Sequence, residues 1–119
     1  MLALEVVSPE RILVNEQVSE VQVPGRDGYM GILPGHAPLL SELMAGGVLT
    51  YKAGAGEKVL AVFGGFVEVL PERVRVLADS AERKEEINAE QARAALSKAD
   101  PNDRDATMRA QARVDAAAK

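Results

Sequence analysis

A chain of 119 residues with 47% apolar and 27% charged side chains suits one globular domain with at most a short appendage. The net charge of −4 and the 3% aromatic content argue against a nucleic-acid surface, which needs a basic patch or stacking rings. Without cysteine there are no disulfides and no thiolate metal sites, and one histidine cannot build a His-rich one.

The N-terminus lacks a charged region followed by an apolar run, so no signal peptide is read there. No segment approaches the ~18–20 apolar residues of a membrane-spanning helix, so a soluble chain that meets a membrane only through partners is expected. Residues 1–80 read as consecutive short strands. Leu2, Leu4 and Val6 alternate with Ala3 and Glu5, the period of a half-buried strand. Ser8-Pro9-Glu10 turns the chain before an extended run from Arg11 to Val14. Val21 and Val23 face one way, Glu20 and Gln22 the other. Pro24-Gly25-Arg26-Asp27-Gly28 then carries strong turn signals.

Gly31-Ile32-Leu33-Pro34-Gly35-His36-Ala37-Pro38-Leu39-Leu40 gathers two glycines, two prolines and the only histidine. The prolines fix φ and restrict the residues before them, so a stiff bent connection is expected. It should tuck Leu33, Leu39 and Leu40 into the core and hold His36 at its apex, beside the turn from Arg26 to Met30. Read without further context, it is a strand-to-strand corner with a partly exposed histidine. Further on, two hairpins are expected. One pairs Val48–Lys52 with Lys58–Phe63 through Gly54-Ala55-Gly56, and the other pairs Phe66–Leu70 with Arg73–Leu77 across Pro71-Glu72. Short antiparallel strands at this spacing predict a sandwich or flattened barrel.

Beyond Ser80 the composition turns to Ala, Glu, Arg, Lys and Gln, all good helix formers. Asn88 with Gln91 three residues on predicts a capped helix over Ala89–Lys98. Asp100-Pro101 predicts the start of a second, running through Arg104 to about Ala117. Small-residue stripes, Ala92-Ala95-Leu96-Ala99 and Ala106-Ala110-Val114-Ala117, predict close helix contact with little buried area. A hairpin so lightly held is expected to be able to undock.

The decad from Gly31 to Leu40, Gly64-Gly65-Phe66-Val67-Glu68-Val69, and Val76-Leu77-Ala78-Asp79-Ser80-Ala81-Glu82 together resemble the epsilon subunit of the F-type (proton-translocating) ATP synthase. The resemblance implies an N-terminal antiparallel β-sandwich of about ten strands (residues 1–84) and a C-terminal two-helix hairpin (residues 85–119). It implies a non-catalytic rotor subunit that carries no cofactor. Such a subunit joins the gamma axle to the membrane c ring, coupling proton flow to ATP synthesis. In many bacterial members the C-terminal helices can extend along the axle and hinder ATP hydrolysis.

Carried over residue by residue, Arg26, Asp27, Tyr29, Met30, His36 and Leu39 would face the c ring and gamma axle. Arg104, Arg109 and Arg113 would meet acidic surfaces of the alpha and beta catalytic subunits. A solvated helix face with local pairs such as Asp105–Arg109 is the plainer reading of those arginines. The family's ATP-binding pattern, Ile/Leu-Asp-x-x-Arg-Ala, here reads Ile87-Asn88-Ala89-Glu90-Gln91-Ala92. Asn88 and Gln91 depart from it, so helix capping rather than nucleotide binding is expected at Asn88. With no transit peptide read, the implied place is the cytoplasmic face of a bacterial cell membrane, peripherally attached; the stromal face of a plastid thylakoid is the alternative. Two rivals are weighed: a Ser41-His36-Asp27 nucleophilic set, which no nucleophile-elbow motif supports, and a small binding module with a concave pocket.

Overall fold

A computed structural model describes residues 1–119. Eight strands precede two helices: β1 (Leu2–Val7), β2 (Ile12–Val18), β3 (Glu20–Gly25), β4 (Gly28–Ile32), β5 (Leu39–Glu42), β6 (Gly47–Ala53), β7 (Gly56–Leu70), β8 (Arg73–Arg83), α1 (Ala89–Lys98) and α2 (Arg104–Ala118). The strands run in the order β2-β1-β8-β7-β6-β3-β4, with β5 also on β7. The path folds over into two layers around a core that includes Leu2, Leu4, Val6, Val21, Val23, Leu49, Val62, Val67 and Val76, all fully buried. The alternation read in β1 and β3 is the alternation found: inward residues buried, outward ones half-buried or exposed.

The β-sandwich with two C-terminal helices is the predicted class, with eight strands where about ten were expected. Lys58–Phe63 and Phe66–Leu70 are not separate strands. They are halves of the 15-residue β7, bent at Gly64 (φ 73°) and Gly65 (φ 112°), backbone angles that only glycine adopts without strain. The 11-residue β8 follows that bend, so both strands serve both layers. Nor is the sheet wholly antiparallel, since β1 lies parallel to β8, Ala3 opposite Arg73 through Val7 opposite Leu77.

Three local expectations fail. The segment after Asp27, read as turn, is strand β4, because Tyr29, Met30 and Ile32 ladder onto Pro24, Val23 and Val21. Leu33, Leu39 and Leu40 are not tucked into the core: Leu33 is 57% and Leu40 71% exposed, and only Ile32 of this region is buried. Burial of large apolar residues is a one-way rule, and here the loop runs outside the sheet. Asp100-Pro101 does not begin the second helix. Asp100 closes a turn by accepting the Asn102 and Asp103 amide N–H groups, and Asp103 is the N-cap, accepting from the Ala106 N–H at 3.0 Å. The first helix is as predicted, with the Gln91 N–H donating to Asn88 Oδ1 at 3.0 Å.

Candidate functional site

The proposed partner-facing residues do not form one cluster. Arg26 and Asp27 make the exposed β3–β4 turn, which is tied to the end of β5: the Arg26 amide donates to the Glu42 carbonyl, and its guanidinium pairs with the Glu42 carboxylate at 3.0 Å. His36 lies at the other end of β5, where Gly35 N–H donates to Pro71 O. The four residues of β5 separate them by about 10 Å. His36 is therefore not beside the Arg26 turn. Its Nδ1 sits 2.7 Å from Ala37 O, a contact that requires the proton on that nitrogen. Ser41 donates to Glu42 O, so the Ser41, His36 and Asp27 side chains hold no shared hydrogen bond and no nucleophilic set is assembled.

Tyr29 and Met30 point to opposite faces of β4, as neighbours in a strand must. The Tyr29 hydroxyl accepts the Val48 amide N–H at 3.0 Å on the outer face of β6, while Met30 packs on the core. Leu39 stays at the edge, opposite Val69. Of the six residues, then, Arg26, Asp27, His36 and Leu39 line the rim along β5, and Tyr29 braces the face beneath α2.

The helix arginines also divide. Arg113 reaches back to β8, its Nε 2.8 Å from Glu82 Oε1 and its Nη2 3.5 Å from Oε2, a two-pronged pair in a partly buried setting. Arg104 and Arg109 stay exposed, and Asp105 forms no ion pair with Arg109. Both line a cleft of about 640 Å³ at the Gly64-Gly65 bend, where Arg26 joins them and Glu42, Asp79 and Asp105 balance the charge. That balance gives the cleft no net attraction for an anion. No group of three or more His, Cys, Asp or Glu side chains is placed to hold a metal.

Sequence reasoning missed three features of greater consequence. The first is the seat of α2. The face it buries against Val48, Val59, Ala61 and Phe63 is Ala112 and Ala116, with Met108 in line, rather than the Ala106-to-Ala117 stripe, which is only half-buried. Alanine occurs on both faces, so hydrophobic spacing could not choose between them. At Gly46 the helix backbone comes so close that an added Cβ would lie 2.5–2.6 Å from Met108 O and Arg109 Cα. Glycine is required there for approach, not for a turn.

The second is a clamp on the single 3-10 turn (Lys84–Glu86) joining β8 to α1. Glu86 accepts from both Arg11 Nη atoms at 2.6 and 2.7 Å and from the Arg83 amide at 2.8 Å. The Arg11 bonds, then the Arg83 amide, hold its carboxyl down to about 2.

The third is a bare apolar row. Strand register sets Phe66 (50% exposed) opposite Leu77 (47%), Leu77 opposite Val7, and Val7 opposite Ile12 (63%). Leu40 lies on the same face, diagonal to Phe66 and opposite Glu68. Five apolar side chains, one from each of β5, β7, β8, β1 and β2, thus cross five strands on the outer face of the layer that α2 leaves uncovered. The signal was in the sequence, in the outward positions of otherwise alternating strands, but it becomes a row only once register is known.

The molecule is thus a two-layer sandwich with a docked helical arm, and its ion pairs join its own elements. Known proteins share this frame. Residues 1–84 match the family described as ATP synthase, Delta/Epsilon chain, beta-sandwich domain. The ATP synthase epsilon chain of Solibacter usitatus is 52% identical over 130 aligned positions, covering 99% of this chain and 96% of that protein. That of Moorella thermoacetica is 46% identical over 99 residues, 83% of this chain and 74% of the other. A chain in the Euglena gracilis mitochondrial ATP synthase (OSCP/F1/c-ring, rotational state 1) shares the fold with a TM-score of 0.67 at 24% identity, over 95% of this chain and 73% of that one. A chain of the Tetrahymena thermophila mitochondrial ATP synthase central stalk/c-ring does so with a TM-score of 0.62 at 15% identity, over 76% and 72%. The chain belongs to the ATP synthase epsilon chain family, non-catalytic subunits of that complex. No helix is long and apolar enough to cross a membrane.

Proposed function

We propose that this chain is the central-stalk subunit that links the gamma axle to the c ring, passing rotation between proton translocation and ATP synthesis. The observation that carries the reading is the bare row of Leu40, Phe66, Leu77, Val7 and Ile12, on the sandwich layer opposite α2. An isolated monomer gains nothing from such a row, whereas a protein interface buries it as its dry centre. The gamma axle is the proposed occupant. The c ring's polar loops meet the adjoining rim of Arg26, Asp27, His36 and Leu39, with Tyr29 and Met30 fixing the strand behind it. Charge and a stiff proline-bounded loop suit a wet interface that must bear torque.

Residues 1–84 act as the coupling unit and 85–119 as a separable arm. Once free, the arm presents Arg104, Arg109 and Arg113 to the alpha and beta subunits and restrains ATP hydrolysis. The subunit sits peripherally on the cytoplasmic side of a bacterial membrane through these partners. The test is binding of the full chain to a catalytic core that contains gamma but lacks epsilon. Phe66→Glu with Leu77→Glu should weaken binding at least about tenfold while leaving the fold intact, since burying two unpaired carboxylates is costly. Unchanged binding by a folded double variant would overturn the assignment of this face.

A further inference from the structure

The route from β8 into α1 contains two ion-paired anchors of different kinds. Arg113–Glu82 joins α2 to the sandwich and must break if the arm leaves. The Glu86 clamp joins the connecting turn to residues that stay behind: Arg11, in the β1–β2 turn, and Arg83, the last residue of β8. Arg11 Nη2 also donates to Ala81 O and Arg83 Nη2 to Leu13 O, tying the β1–β2 turn and β2 to β8 at the same corner. The turn closes on itself through the Ile87 amide to Lys84 O at 3.1 Å. Past that bond α1 packs on α2, and α2 carries the contacts with β6 and β7, while α2 also touches the turn and half-buried Ile87 packs beside its seat.

Resting on the reading of residues 85–119 as a separable arm, we infer that the arm's pivot is Ile87–Asn88. The Glu86 clamp fixes the turn before it to the sandwich in both docked and released states. Ile87 (φ −90°, ψ 125°) and Asn88 (φ −83°, ψ 111°) are both extended, in a broad basin where ψ of Ile87 and φ of Asn88 can rotate while the Ala92 N–H stays on Asn88 O. The Asn88 side chain caps α1 and so travels with the helix, while Glu86 stays with Arg11. The clamp thus sets the point and direction of departure, and the Arg113–Glu82 pair with the Gly46 seat sets how often departure occurs.

Hydrogen exchange read by mass spectrometry on the full chain tests this, with the arm opened in two independent ways. Arg113→Gln removes the docking pair, and Gly46→Ala puts a methyl against the helix backbone. In both, amides of α1 and α2 should exchange at least about tenfold faster, while the Arg83 and Ile87 amides keep wild-type rates. Glu86→Gln should do the reverse, speeding Arg83 and Ile87 with α2 still protected. If the turn opens together with the helices in the docking variants, the pivot lies upstream and the inference is wrong. If neither variant speeds exchange in the helices, it is the separable-arm reading itself that fails.

Discussion

The two apolar interfaces of this molecule are made from different materials. The sandwich core is built of Leu, Val and Ile from every strand except β5, with most of its side chains wholly shut off from water. The α2 interface joins four sheet residues to two alanines, with half-buried Ile87 beside them. Alanine carries one methyl, so each contact there buries a fraction of what a core leucine buries at about 25 cal/mol per Å². What holds the arm is close approach at Gly46, helped by the partly buried Arg113–Glu82 pair. One interface keeps the fold; the other keeps a position.

That contrast can be broken at its strong end first. Leu49→Ala opens a cavity in the shared core and should cost about 2–5 kcal/mol, with strands and helices losing protection together in urea unfolding. Next in size, Asn88→Ala deletes the α1 cap and should cost about 1 kcal/mol. Its effect should appear as faster exchange in the helices with the sandwich midpoint nearly unmoved. A sandwich midpoint that fell as far as in Leu49→Ala would show the two interfaces to be one cooperative unit. The smallest effect concerns acid. Glu86, ordinarily titrating at 4.5, is held to about 2 by Arg11 and the Arg83 amide, with Arg83's own guanidinium alongside. Lowered in the folded state, it stabilises fully above about pH 4.5 and ceases to as pH falls toward 2. The difference between wild type and Glu86→Gln in exchange at Ile87 should therefore be constant at neutral pH and shrink below 4.5.

The same contrast explains what could be read from sequence. Val21 and Val23 against Glu20 and Gln22 announce a strand because large apolar residues alternate with polar ones and only one face can be buried. Ala89–Lys98 is legible because an asparagine side chain can accept a first-turn N–H that has no partner inside the helix, and so marks where a helix starts. The arm's seat was not legible, since alanine satisfies either face. Lys58–Phe63 and Phe66–Leu70 look like two strands in sequence because Gly64-Gly65 lies between them, yet a left-handed pair can bend one strand and let it continue. Leu40 and Phe66 were assigned inward by hydrophobicity alone or not at all. Apolar residues that serve a partner carry the same label as those that serve the core, and only register separates them.

The parallel pairing of β1 with β8 has a consequence for how the chain is made. Glu5 and Arg75, whose side chains meet across that pair, are 70 residues apart in sequence. Closing a loop of that length costs on the order of 4 kcal/mol in chain entropy before any bond forms, and no tight turn can shorten it. β2 can form a hairpin with β1 early, and β6, β7 and β8 can zip locally in turn. On the ribosome, though, the inner edge of the first strand has no partner until residues 73–77 have left the exit tunnel. The N-terminus is synthesised first and completed among the last.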